Sequence, residues 1–472
     1  MDLQTDVKKE SIDNRVPVTD TTHAIDRAND CASSNTNLDT VIEVAICATQ
    51  LTATSTDTNT SCRGGITPAE TSFIPDANVN ATAGKGDTVA LRRAVNDDDL
   101  DCVKMLLAAK VNPNTRNCDG LTALNIAASK GRTACLQLLL DAKADIHAIN
   151  ENGATALLLA ALHGQTECLQ LLLDAKADVN ATDKEGTTAL VLGALEGQTA
   201  CLQLLIDAKA TIGTVNENGY TALLVAAYNG HTPYVQLLLD AKADIHDREK
   251  NECPASILAA QSGHTECLQL LLDAKTDINH ADKDGYTALI LAASNGHPRS
   301  LQLLLEMKAD INAVDKDGDA ALILAARNGH TACLRLLLDA KADIRVANKQ
   351  GYIASIAAAA EGHVACLQML LDAKADIEAT NESGDTALFW AAMEGHAACV
   401  QLLLDAKADV HVVNEDGATA SKAKVTQNAC SCCSTRKQTS TLRMRAAPLC
   451  GFLRLARVIL PACNCCLTRK QT

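Results

Sequence analysis

Apolar residues recur along most of this chain in one fixed order. The unit reads Asp-Gly-x-Thr-Ala-Leu-x-x-Ala-Ala-x-x-Gly-His-Thr-x-Cys-Leu-Gln-Leu-Leu-Leu-Asp-Ala-Lys-Ala-Asp-Ile, with clear copies starting at Asp284 and Asp317. Its loop glycine returns at Gly120, Gly153, Gly186, Gly219, Gly285, Gly318, Gly351, Gly384 and Gly417, in steps of 33 residues or twice 33 where Glu252 interrupts the series. Such a period predicts a turn followed by two short helices. The Thr-Ala-Leu-x-x-Ala-Ala stretch forms the first helix, and its small alanines permit close stacking. The second, Cys-Leu-Gln-Leu-Leu-Leu-Asp-Ala, sets leucines on a wide apolar face. Helices this short are marginal alone, so each must be held by its neighbours.

Details of the unit assign local roles. Thr122, Thr155, Thr188, Thr221, Thr287 and Thr386 stand where a hydroxyl can cap the first helix. Gly131 and its repeats at Gly164, Gly197, Gly230, Gly263, Gly296, Gly329, Gly362 and Gly395 end that helix and allow the reversal. The array begins near Asp87 with a degenerate unit whose polar exterior, Arg92, Arg93 and residues 97–99, predicts an N-terminal cap. The weakest unit lies between Lys250 and Lys275, where Glu252 and Pro254 stand in for the loop Gly and the capping Thr.

The unit resembles the ankyrin repeat over about residues 84–420, on its period, its glycine register, the Thr-x-Leu at the helix start and the Ala-Asp-Ile/Val that closes it. The resemblance implies an all-α solenoid of stacked antiparallel helix pairs with projecting hairpin-like loops, binding partners by its loop tips and concave helical face. Two departures stand out. The family's Thr-Pro-Leu-His reads Thr-Ala-Leu followed by Leu158, Val191, Leu224, Ile290 or Ile323. The family's Gly in Gly-Ala-Asp is a lysine in every full unit, from Lys143 to Lys407. If that site needs a positive φ, a lysine there costs on the order of 1 kcal/mol against Gly.

Composition sharpens this reading. Aromatics are 2% of residues, too few for a base-stacking surface. The first 420 residues carry 32 Lys/Arg against 57 Asp/Glu, and residues 421–472 carry ten Lys/Arg and no acid. An acidic body argues against binding phosphate backbones. Cys102, Cys135, Cys168, Cys201, Cys267, Cys333, Cys366 and Cys399 share one apolar register, which predicts buried free thiols in a reducing compartment. With no signal-peptide core and no membrane-length apolar run, the expected location is the cytoplasm, the nucleus left open, with no membrane contact.

Three domains are expected: residues 1–83, rich in Thr, Ser, Asn and Asp and disordered; the array at 84–420, a cap plus nine full repeats and a truncated one; and a basic, Cys-rich, poorly ordered tail at 421–472. In the tail, Cys-Ser-Cys-Cys-Ser-Thr-Arg-Lys-Gln-Thr (430–439) returns 33 residues later as Cys-Asn-Cys-Cys-Leu-Thr-Arg-Lys-Gln-Thr. Codons for Leu-Gln-Leu-Leu-Leu-Asp-Ala-Lys-Ala-Asp read one nucleotide later spell that second copy. The tail is therefore read as repeat sequence translated out of frame after about Ala423, the alternative being a metal- or membrane-binding tail. A truncated last unit leaves the face of residues 386–407 without a neighbour and predicts self-association through it.

Because most positions repeat nearly verbatim, specificity falls to those that vary. The candidate protein-binding residues are Tyr220, Tyr286 and Tyr352 at the loop tips, and Tyr228, Arg327 and Glu394 on the outer face of the first helix. Phe389 and Trp390 read as packing. The His231, His264, His297, His330, His363 and His396 series is too widely spaced to share one metal ion and reads as turn residues. No catalytic, cofactor or metal residue is assigned. The expected function is a non-catalytic scaffold or adaptor for an unidentified protein partner, against a duplicated array decaying without one.

Overall fold

The chain divides into residues 1–76 and 77–472, and the computed structural model describes residues 85–420 other than Asn251. The expectations for residues 1–83 and for the tail lie outside the described residues. Among those described, the architecture is ten helix pairs and isolated β-bridges, without strands. The pairs are α1 (Lys85–Asn96) with α2 (Leu100–Ala108), α3 (Ala123–Lys130) with α4 (Thr133–Asp141), α5 (Ala156–Leu162) with α6 (Thr166–Asp174), α7 (Ala189–Glu196) with α8 (Thr199–Asp207), and α9 (Ala222–Asn229) with α10 (Thr232–Asp240). They continue as α11 (Ala255–Gln261) with α12 (Thr265–Asp273), α13 (Ala288–Ser294) with α14 (Pro298–Glu306), α15 (Ala321–Arg327) with α16 (Thr331–Asp339), α17 (Ala354–Ala360) with α18 (Val364–Asp372), and α19 (Ala387–Glu394) with α20 (Ala397–Asp405). Each first helix packs on the next first helix, and each second helix on the next second helix. The core is therefore a continuous sandwich of thin layers, growing in one dimension.

The chain's local chemistry produces these turns. Thr122, Thr155, Thr221, Thr287 and Thr386 each accept a backbone N–H of their own helix's first turn. Thr188 departs from the expectation, its hydroxyl lying 3.4 Å from that of Thr214 instead. At the other end the chain reverses through positive φ at every interhelix glycine. For Gly230 the requirement is double. Its φ is 76°, and a Cβ there would sit 2.3 Å from Nδ1 of His264 in the next repeat. The lysine register also reverses with positive φ, from 60° at Lys110 to 73° at Lys407, so the strain expected from sequence is present.

The histidines do more than turn the chain. His231, His297 and His396 donate from Nε2 to the carbonyls of Leu195, Gln261 and Ala360 in the preceding repeat, at 3.0, 2.9 and 2.8 Å. Each ties one layer to the last while its ring covers the preceding glycine. The cysteine register is buried as expected from Cys135 onward, with Cys102 half-exposed in the first pair. Hydroxyls of the layer before reach these thiols, Thr232 Oγ1 lying 3.3 Å from Cys267 Sγ. Burial pushes the Cys333, Cys366 and Cys399 thiols up to about 11, so they are protonated and inert at neutral pH.

Tyr234 occupies this register once. It is fully buried and donates to the Leu190 carbonyl at 2.7 Å. Its hydroxyl fits because the facing first-helix residue is Gly193, where a Cβ would approach it to 3.0 Å.

The first helix of the first pair begins at Lys85, two residues before the expected start at Asp87. Asp99 caps α2, and Arg92 reaches forward to the backbone and hydroxyl of Thr115. In the weak unit Pro254 precedes α11 without a side-chain cap, and Glu252 adopts a φ of 65°.

Candidate protein-binding surface

The hairpins between repeats are built by one polar residue per unit. Asn150 Oδ1 accepts the N–H of Asn152 and of Ala154, and Asp315 Oδ1 accepts those of Asp317 and Asp319 at 2.9 and 2.8 Å. Neighbouring hairpins then join through the backbone, as in Lys316 N–H to Asp284 O at 2.8 Å and Glu382 N–H to Gln350 O at 3.0 Å. These contacts consume the repeated polar positions and leave the variable ones outside the hairpin bonds. Where the hairpin residue is aspartate, burial raises its pKa. Asp315, with Asp319 and Asp317 close by, is pushed up to about 6.

The variable positions come in pairs. The residue after each loop glycine is followed eight places later by a residue at the end of the first helix of the same repeat. Asp319 and Arg327 show the geometry. The guanidinium makes two bonds to the carboxylate, at 2.8 and 3.2 Å, with only 18% and 7% of the two side chains exposed. Asn348 of the next hairpin adds a third bond to Asp319 at 2.8 Å. Elsewhere the same two places hold Tyr220 with Tyr228, Tyr286 with Ser294, Tyr352 with Ala360 and Asp385 with Met393.

This arrangement relocates several candidates. Tyr220 is 5% exposed and sits within the body of the array, not at a projecting tip. Tyr286 is half-buried. Tyr352 is half-buried too, its ring centroid 5.8 Å from that of Trp390, and burial pushes its hydroxyl up to about 12. Tyr228 is half-buried and Arg327 is committed to Asp319. Both stand one residue before the register of Glu394, with which they are grouped on the outer face of the first helix. Glu394 is exposed. Phe389 packs edge-on to Trp390 at 6.3 Å, as expected. The structure thus brings Tyr352, Phe389, Trp390 and Glu394 toward one end of the array, with Arg327 beside Tyr352, and leaves Tyr220, Tyr228 and Tyr286 in other repeats. The pairing of each post-glycine residue with its partner eight places on was overlooked in the sequence, although Asp319 and Arg327 carry opposite charges.

On the second-helix side an open groove of about 400 Å³ runs between α14 and α16, lined by Pro298, Gln302, Thr331, Ala332, Arg335 and Leu336. Among the described residues no group of His, Cys, Asp and Glu could hold a metal ion, and no helix is long and apolar enough to cross a membrane.

Comparison with known proteins agrees with the layered architecture. The family profile described as ankyrin repeats (3 copies) matches residues 91–183, 175–249, 243–315, 302–381, 322–414 and 355–433. The chain belongs to the ankyrin-repeat family, whose members are generally protein–protein interaction modules and typically non-enzymatic. Among solved structures, the human ASB11 ankyrin repeat domain is 26% identical, with 47% of this chain and 99% of that one covered and a TM-score of 0.44. No curated relative matches the chain.

Proposed function

We propose that this protein is a non-catalytic scaffold or adaptor that binds a protein partner through its hairpin tips and the concave face formed by its first helices. One observation carries the reading. The repeated side chains are consumed in holding layer to layer, as with His297 on the Gln261 carbonyl, whereas the varied ones gather at the hairpin-to-first-helix junction. A surface that is uniform in backbone and variable in side chain is what selective binding needs. The acidic array favours a basic partner and disfavours nucleic acid, and the free thiols fit a cytoplasmic setting. Proximity labelling with the full chain tests this. A reproducible partner lost on replacing Glu394 and Tyr286 supports it, and a labelled set unchanged by those substitutions contradicts it.

A second reading, an array decaying without a partner, draws on the near-identity of the repeats and the out-of-frame tail. It is favoured if the same experiment returns no protein above background.

A further inference from the structure

The array contains its own template for a binding site. Asp319 and Asp385 stand at the same place in units two repeats apart, and both are buried, at 5% and 6% exposure. Each donates its backbone N–H to the side-chain oxygen of the residue four before it, Asp315 or Asn381, at 2.8 Å. Each accepts a side-chain amide from the following hairpin, Asn348 or Asn414, again at 2.8 Å. At Asp319 the remaining valence is filled by the guanidinium of Arg327. At Asp385 the residue eight places on is Met393, which is 39% exposed. Among the described residues Asp385 is left with neutral donors, a 3.3 Å bond from Asn381 being the other, and with the repelling charge of Asp416. A buried carboxylate without a cation is a costly arrangement that an incoming cation would relieve.

The surroundings select the kind of cation. Tyr352 is close enough to Asp385 and Glu394 to feel both charges. Its ring lies against Trp390, a residue 8% exposed whose indole N–H has no acceptor among the described residues. Beside it Phe389 is half-buried, although Ile290, Ile323 and Ile356 in the same register are fully covered by a following repeat. A planar guanidinium can pair with a carboxylate through two bonds and lie on aromatic faces, which an ammonium does not do. The flexible Met393 side chain can move aside. We propose that Asp385, flanked by Tyr352, Trp390 and Glu394, is the docking site for an arginine side chain of the partner protein, which occupies the place that Arg327 takes in the earlier repeat. This deepens the protein-binding reading and rests on it.

Trp390 is the chain's single tryptophan and reports on the site directly. Full-length protein is titrated with N-acetyl-arginine amide, and separately with N-acetyl-citrulline amide, which keeps the shape and lacks the charge. The expected result is a saturable change in Trp390 emission whose midpoint is at least about tenfold weaker for citrulline, as befits a charge-assisted bond. Asp385→Asn removes the response. Met393→Arg copies Arg327, so it abolishes the response while raising the melting temperature, which keeps the test decisive if the Asn variant fails to fold. No saturable change, equal response to citrulline, or a response surviving in both variants overturns the proposal. Should that occur while a partner still depends on Glu394 and Tyr286, only the arginine site falls and the scaffold reading stands.

Discussion

Gly193 and Tyr234 show how one residue's size is set by another that touches it from the next repeat. Ala occupies the Gly193 position in Ala160 and Ala226, and Cys occupies the Tyr234 position in Cys201 and Cys267. The tyrosine hydroxyl needs the space that a methyl would fill. Gly193→Ala is therefore expected to cost about 1–3 kcal/mol alone, from overpacking. In a Tyr234→Cys background the same change becomes neutral or stabilising by up to about 1 kcal/mol, through helix propensity. A double-mutant cycle from denaturant unfolding measures the coupling, and additive effects would contradict the pairing.

Asp315 gives a second prediction at this scale. Burial holds its pKa at about 6 in the folded protein, above the unfolded value of about 3.9. A raised folded pKa means that its contribution is fully present below the unfolded pKa and is lost as pH rises through 6. Asn348 and Asn381 fill the same place without charge and make the same hairpin bonds. Asp315→Asn should stabilise the protein by roughly 1–2 kcal/mol at pH 7.5 and by nothing below about pH 4. Melting curves across that range check it.

At the scale of the element, the pair α11 and α12 is the one whose entry is poorly made. Glu252 bears a positive φ in the glycine place, and Pro254 offers no cap. Restoring the pattern with Glu252→Gly and Pro254→Thr should gain roughly 1–2 kcal/mol in total. Amide exchange should show residues 250–262 opening before the flanking units, and protection equal to theirs would refute it.

Most of each element was legible in the sequence. The period set the helix pairs, the glycines set the reversals, and the lysine register revealed its positive φ by departing from glycine. What escaped were contacts between units. That His264 covers Gly230, or that Arg327 turns back onto Asp319, depends on how one layer meets the next, and a pattern read along a single chain does not contain that distance. The loop tyrosines were misplaced for the same reason. The residue after the glycine looks like a tip in sequence, but neighbouring layers enclose that place to different degrees, so Tyr220 ends buried and Tyr352 packs on Trp390 of the next repeat.

On the scale of the whole molecule, a histidine from each of six successive units lies against the glycine of the unit before. Burial lowers the pKa of His264 and His330 against the opposing bonds to the backbone of Tyr228 and Ser294, and neighbouring histidines lower it further, His231 and His297 for the first, His297 and His363 for the second, with Glu266 also opposing at His264. A folded pKa depressed below the ordinary value means that stability is present above about pH 6.5 and is lost as pH falls below it. Gln165 and Gln198 hold the same place in earlier units. Replacing His264 and His330 by Gln should flatten the loss of stability between pH 7 and pH 5, followed by thermal melting at each pH.

The central claim is that recognition belongs to the varied positions on the first-helix side, while the repeated positions serve layer-to-layer cohesion. Site-specific photo-crosslinking in the full chain tests it most directly. A photoreactive residue is placed at exposed first-helix positions, Glu196, Asn295 and Glu394, and separately at exposed second-helix positions, Gln170, Gln203 and Arg335. The account predicts a discrete crosslinked partner from the first set and background from the second. Crosslinking from the second set alone, or equally from both, would contradict it.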